Sequence, residues 1–77
     1  MINENVQKIY RIAKKTEYGI NFFSKAGKNG YYITINVGKD NNPETLMKIE
    51  QELLKEFGRD LNSMVMSDGL YIKAERG

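Results

Sequence analysis

The chain repeats itself at an offset of 39 residues. When residues 17–38 are laid against residues 56–77, the 22 positions align without a gap, and seven of them are identical. Other positions keep size or turn chemistry, as in Tyr18 against Phe57 and Asn29 against Asp68. We therefore predict a chain of two similar units. The identical pairs are Glu17/Glu56, Gly19/Gly58, Ser24/Ser63, Gly30/Gly69, Tyr32/Tyr71, Ile33/Ile72 and Gly38/Gly77.

The first unit opens with a predicted amphipathic helix over residues 4–17. Apolar side chains recur there at helical spacing, and basic side chains fill the other positions. Gly19 is predicted to cap the C-terminus of this helix. The apolar positions are Val6, Ile9, Tyr10 and Ala13.

The second unit opens with a helix that carries clearer boundary signals. Asn42 is placed to cap its N-terminus, and Pro43 suits the first helical position. Gly58 is predicted to end this helix in the left-handed conformation. The predicted buried stripe consists of Leu46, Ile49, Leu53 and Phe57.

The ends of the two helices look alike in sequence. Glu17-Tyr18-Gly19 and Glu56-Phe57-Gly58 each place an aromatic residue before a glycine. We expect each aromatic side chain to fold onto the core and each glycine to stop its helix.

Two short strands follow each helix. The dipeptides Asn29-Gly30 and Asp68-Gly69 are typical of tight hairpin turns, because both residue types tolerate positive φ. Each unit is therefore predicted to contain an antiparallel hairpin. The predicted strands span about 20–25, 31–37, 61–66 and 70–75.

These elements give an α+β fold of two αββ units in a single domain of 77 residues. Unit 1 covers about 4–38 and unit 2 about 43–77. Burying every apolar stripe requires one four-stranded antiparallel sheet with both helices on one face. The hairpins could join through their first strands or through their second strands, and the sequence leaves both orders open.

Period-2 alternation along the strands predicts two different sheet faces. One face is apolar enough to lie under the helices: Phe22, Tyr31, Ile33, Ile35, Leu61, Leu70, Ile72 and Ala74. The other face is left open to solvent: Asn21, Phe23, Lys25, Tyr32, Thr34, Asn36, Asn62, Met64, Met66, Tyr71, Lys73 and Glu75.

Composition excludes most catalytic chemistry. The chain has no cysteine and no histidine, so thiol nucleophiles, thiolate metal sites and the commonest general base are missing. Asp40, Asp60 and Asp68 fall in loops or at element ends, where no cleft is predicted to pair them. Ser24 and Ser63 have no histidine base. We predict no enzyme activity, no catalytic residue, no metal site and no cofactor.

The open sheet face is the main candidate site. A cluster of exposed aromatic and apolar side chains on a small domain usually marks an interaction surface, although such pairs can also just stabilise short hairpins. Lysines on the same face and at the hairpin tip complete the predicted partner-binding set: Phe23, Lys25, Lys28, Tyr32, Met64, Met66, Tyr71 and Lys73.

A basic side of the first helix is the second candidate. It would contact phosphates or an acidic protein, or lie against the more acidic second helix. Its residues are Lys8, Arg11, Lys14 and Lys15. The glycine- and lysine-rich segment 25–30 is not a phosphate-binding loop, because it leads into a strand rather than a helix.

The leading functional hypothesis is a non-catalytic binding protein that docks on another macromolecule, with a protein as the preferred partner. The high content of lysine, asparagine and isoleucine indicates an AT-rich coding sequence. Together with the small size and the lack of catalytic residues, this composition also suits a phage or mobile-element inhibitor or regulator of a host protein of the nuclease type. The first alternative is a nucleic-acid-binding module that uses the sheet aromatics and lysines. The second is a homodimer formed through the open face. We expect a cytoplasmic protein with no membrane contact, because no segment approaches the length of a membrane span.

Overall fold

The computed structural model describes residues 4–38, 42–58 and 61–75. It contains two helices and four strands in the predicted order, a helix and two strands in each half. This confirms the α+β fold class. The elements are α1 (Glu4–Thr16), β1 (Ile20–Ala26), β2 (Gly30–Val37), α2 (Pro43–Phe57), β3 (Asn62–Met66) and β4 (Gly69–Glu75).

The four strands form one antiparallel sheet in the order β1-β2-β4-β3. The two hairpins therefore join through their second strands, which is one of the two orders left open by the sequence. Ile33 of β2 and Ile72 of β4 are direct partners at this junction. β1 and β3 are the outer strands of the sheet.

The core lies between the sheet and the two helices. Both helices contribute buried side chains to the same cluster as the strands, which confirms that they cover one face. No polar or charged residue is buried as a whole among the described residues. The buried residues are Val6, Ile9, Ala13, Ile20, Ile33, Ile35, Leu46, Ile49, Leu53, Leu61, Leu70, Ile72 and Ala74, and Phe22, Tyr31 and Phe57 are among the partly buried residues packed against them.

The start of α2 follows the prediction. The Asn42 side-chain oxygen accepts a hydrogen bond of 2.9 Å from the Glu44 backbone N–H, and Pro43 is the first helical residue. At the other end, Gly58 donates its N–H to the Leu54 carbonyl and has φ +64°. Its ψ of −140° differs from that of the left-handed helix, so the predicted conformation is wrong although the positive φ is present.

The end of α1 differs from its predicted form. Gly19 is not among the glycines with positive φ, and Tyr18 is 83% exposed rather than folded onto the core. The buried side of α1 runs through Ile9 and Ala13 and would continue one turn later at residue 17, so Tyr18 falls off it. In α2 the same spacing from Leu53 reaches Phe57, which does pack against the core.

The hairpin turns lie one residue earlier than predicted. The Gly27 N–H donates to the Gly30 carbonyl at 2.6 Å, so the first loop is Lys28-Asn29. Met66 pairs with Gly69, so the second loop is Ser67-Asp68. Each glycine is the first residue of the returning strand, and Gly30 does not have positive φ.

Some predicted features fall outside the described part of the chain. Asp40 and Asp60 are in the segments that the structure does not describe, as is the side chain of Glu75. Within the described ranges, neither helix is long and apolar enough to cross a membrane.

Candidate functional site

The sheet surface that faces away from the helices, here called the open face, carries a row of side chains across all four strands. The strand register places Phe23, Thr34, Tyr71 and Met64 side by side, in the order β1, β2, β4, β3. Phe23 is 59% exposed and Met64 is 60% exposed, and Tyr71 is also exposed. The predicted alternation of faces is therefore observed, and the row leaves large apolar groups in water at both of its ends.

A second row lies beside the first. It consists of Lys25, Tyr32, Lys73 and Asn62, again one residue from each strand. Tyr32 thus has a lysine on each side, and the Lys73 Nζ lies 5.9 Å from the centre of the Tyr32 ring. A cation at this distance from an aromatic face is attracted to it.

Gly27 explains how Tyr32 is held. A Cβ built at residue 27 would overlap the Tyr32 ring, so the ring lies directly over the glycine backbone. The absence of a side chain at this position lets the ring lie against the hairpin end. Tyr32 is nevertheless half exposed.

Tyr71 is held within its own hairpin, β3–β4. Its hydroxyl donates a hydrogen bond of 2.8 Å to the Asp68 carboxylate, in the loop that joins β3 to β4. This hydrogen bond, followed by burial and the negative charge of Asp68, raises the pKa of Tyr71 above its ordinary value near 10.0. A shallow groove of about 210 Å³ lies between the two tyrosines, with Met64 and Lys73 in its lining.

Met66 continues the open face at the end near Asp68. It pairs with Gly69 and is exposed. Asn36 lies close by on β2, and its Oδ1 is buried without a hydrogen-bond partner. A Cβ at Gly69 would come 2.5 Å from this oxygen, which shows how closely β4 approaches Asn36.

Charge is distributed unevenly along the open face. Lys25 and Lys73 belong to the row nearest the β1–β2 loop, and Lys28 lies in that loop. Asp68 lies in the β3–β4 loop, at the opposite end of the sheet because β2 and β4 are antiparallel. Glu75 lies at the same end as the lysines, opposite Gly30. Among the described side chains, which do not include that of Glu75, no ion pair involves any of the three lysines.

The structure places the four basic residues of α1 in different surroundings. The Lys8 Nζ lies 3.9 Å from the Glu56 Oε1 of α2, and Lys15 lines the groove between the helices. Arg11 is exposed. Lys14 lies beside two tyrosines, with its Nζ 5.8 Å from the Tyr10 ring centre and 5.2 Å from the Tyr18 ring centre.

The groove between the helices contains opposite charges that offset each other. Lys55 and Glu52 form an ion pair of 2.9 Å on α2. The hydrogen bond from Lys55 and its positive charge lower the pKa of Glu52, with smaller effects from Lys48 and Lys15. The groove is therefore lined by charges of both signs, with three lysines and two glutamates.

Two contacts were not foreseen from the sequence. The Ser63 hydroxyl donates a hydrogen bond of 2.7 Å to the Glu50 carboxylate, which joins β3 to α2. The Tyr10 and Phe22 rings meet edge to face, with centres 5.1 Å apart. Each contact joins a helix to the strand that follows it in the chain, so the residue spacing within either element carried no signal for it.

Among the described residues, no three acidic side chains are grouped as metal ligands would be. Comparison of the chain with protein-family models, with curated proteins and with solved structures finds no match.

Proposed function

We propose that this chain is a small binding protein whose open face docks on another protein. The observation that carries the proposal is the row formed by Phe23, Thr34, Tyr71 and Met64, in which three of the four strands expose a large aromatic or apolar side chain. A cluster of exposed apolar side chains usually marks an interaction site. An inhibitor or regulator of a host protein of the nuclease type is one form that this proposal takes.

The way the tyrosines are held supports the same function. Tyr32 lies over Gly27, and Tyr71 is tied to Asp68. Aromatic side chains that are already fixed lose little conformational freedom on binding, and tyrosine is enriched at the centres of protein interfaces.

A nucleic-acid-binding module is the second candidate. The observation that favours it is Tyr32 with Lys25 and Lys73 on either side, because an aromatic ring flanked by lysines can stack a base and contact phosphates. The apolar row favours a protein as the partner, since the row that ends in Phe23 and Met64 contains no lysine to contact a phosphate.

The double variant Tyr32→Ala/Tyr71→Ala tests the proposal. Tagged wild-type and variant chains are used to capture partners from nuclease-treated lysate, with quantitative mass spectrometry as the readout. Tyr18→Ala is the matched control, because Tyr18 is highly exposed but lies outside the open face. Circular dichroism checks that each variant is folded.

The proposal predicts specific partners that the double variant loses and the Tyr18→Ala variant keeps. An unchanged partner list with the folded double variant would contradict it. For the second candidate, oligonucleotide binding at about 50 mM salt that weakens steeply with added salt is the expected result. A chain that shows neither kind of partner but sediments as a dimer, with the variant monomeric, would support self-association instead.

A further inference from the structure

The three lysines of the open face lie together at one end of it. The register puts Lys25 and Lys73 on either side of Tyr32, and Lys28 is in the adjoining loop. Asp68, whose carboxylate accepts a hydrogen bond from Tyr71, lies at the other end of the sheet. Glu75 also lies at the lysine end, opposite Gly30, so three lysines and one glutamate give that end a net positive charge beside a largely apolar middle.

Among the described side chains, which do not include that of Glu75, none forms an ion pair with these lysines. The ion pairs present among them join Lys8 to Glu56 and Lys55 to Glu52, all on the helices. The Lys73 ammonium is instead drawn to the Tyr32 ring. Charges placed at the edge of an apolar contact surface mainly set partner choice and association rate.

We infer that the partner is an acidic protein surface, with carboxylates opposite Lys25 and Lys73 and apolar groups over Phe23 and Met64. This inference rests on the proposed function, whose partner it defines more closely. A second copy of the chain fits less well, since its open face would bring the same three lysines against only two acidic residues, Asp68 and Glu75, and Asp68 already accepts a hydrogen bond from Tyr71.

A nucleic acid also fits less well. Its phosphates require positive charge along the whole path of the strand, whereas the lysines occupy one end of this face. Phe23 and Met64 are the exposed side chains at the two ends of the apolar row. No lysine lies in that row, so a phosphate there would have no positive charge to contact.

Selection from a phage-displayed library of random 16-residue peptides tests the inference. The full chain is immobilised as wild type, as Lys25→Gln/Lys73→Gln and as Phe23→Ser/Met64→Ser. Arg11→Gln/Lys48→Gln is the matched control, because it removes the same two charges from exposed helix positions. Selected peptides are then measured against each chain, and their contact residues are mapped by NMR chemical-shift changes.

The expected peptides combine Asp or Glu with apolar residues and shift the signals of Tyr32, Lys73 and Met64. Their affinity should fall about tenfold with Lys25→Gln/Lys73→Gln at low salt, hardly at all with the control, and the difference should shrink at about 0.5 M salt. Phe23→Ser/Met64→Ser should also weaken the binding of these peptides.

Apolar peptides that map to the open face without enrichment in Asp or Glu would overturn the acidic-partner inference and leave the proposed function standing. Peptides that map elsewhere, or a library that yields none, would count against both. Tighter binding of a mixed 12-residue single-stranded DNA to the same residues would overturn the inference in favour of a nucleic acid.

Discussion

Ile33 of β2 and Ile72 of β4 are direct partners at the centre of the sheet, and the sequence offset of 39 residues equates these two positions. Both are almost fully buried under the helices. Because side chains alternate along a strand, the neighbours Tyr32 and Tyr71 point to the other face. One pair of residues thus connects the core to the open face.

Removing the buried side chain at this junction should destabilise the fold strongly. Ile33→Ala is expected to lower the free energy of unfolding by about 2–5 kcal/mol, through lost apolar burial and the cavity left behind. Urea denaturation followed by circular dichroism measures the change. Met47→Ala, at an exposed position of α2, should change it by no more than about 0.5 kcal/mol. Equal effects of both variants would contradict the described core.

The N-terminal cap of α2 should contribute on its own. Asn42→Ala removes the acceptor for the Glu44 N–H and is expected to cost about 1 kcal/mol. Asn42→Ser keeps a capping oxygen and should recover most of that loss. Thermal or urea denaturation of the three chains compares them, and an Asn42→Ala variant as stable as wild type would show that the cap contributes nothing.

Gly69 should be the glycine least tolerant of a side chain, for two reasons. Its φ is +152°, and an added Cβ would lie 2.8 Å from the Ile35 carbonyl oxygen as well as against Asn36. Gly69→Ala is expected to destabilise the chain by more than about 1 kcal/mol. Gly19→Ala meets no atom within 4 Å and should be neutral or slightly stabilising. The difference between their urea midpoints is the measurement, and no difference would contradict the turn geometry.

The bond between Tyr71 and Asp68 predicts a dependence of stability on alkaline pH. The pKa of Tyr71 is raised in the folded chain, so its contribution is complete below the ordinary tyrosine value near 10.0 and is lost as pH rises through the raised value. Tyr71→Phe should therefore be less stable than wild type at about pH 8, and the gap should close towards about pH 11.

Urea titrations at both pH values measure the gap. Tyr18→Phe serves as the comparison, since no side-chain hydrogen bond is described for that exposed hydroxyl. A gap for Tyr71→Phe that persists unchanged at high pH would show that the Asp68 bond does not account for it.

Much of this architecture was predictable from local patterns. Alternation along the strands placed Phe23, Tyr32, Met64 and Tyr71 on one face, because a register error of one residue would have put the apolar set in water. The Asn42-Pro43 signal located the start of α2 for a similarly local reason.

Other features depended on contacts between distant elements. Either strand order keeps the same faces buried, so alternation could not choose between them. The apolar stripes of the two helices match at an offset of 40 residues, as Ile9 to Ile49 and Ala13 to Leu53, rather than 39. That shift of one residue moves Tyr18 off the buried side of α1, and the hairpin alignment alone could not reveal it.

The central claim is that the open face contacts a protein partner, and site-specific photo-cross-linking tests it most directly. A photoreactive phenylalanine analogue is introduced at Phe23 in one chain and at Tyr18 in another, since both positions hold exposed aromatic residues and only Phe23 lies on the open face. After irradiation in cells, adducts are identified by mass spectrometry. The account predicts a protein adduct at position 23 and none at position 18. Adducts at position 18 without any at position 23 would contradict it.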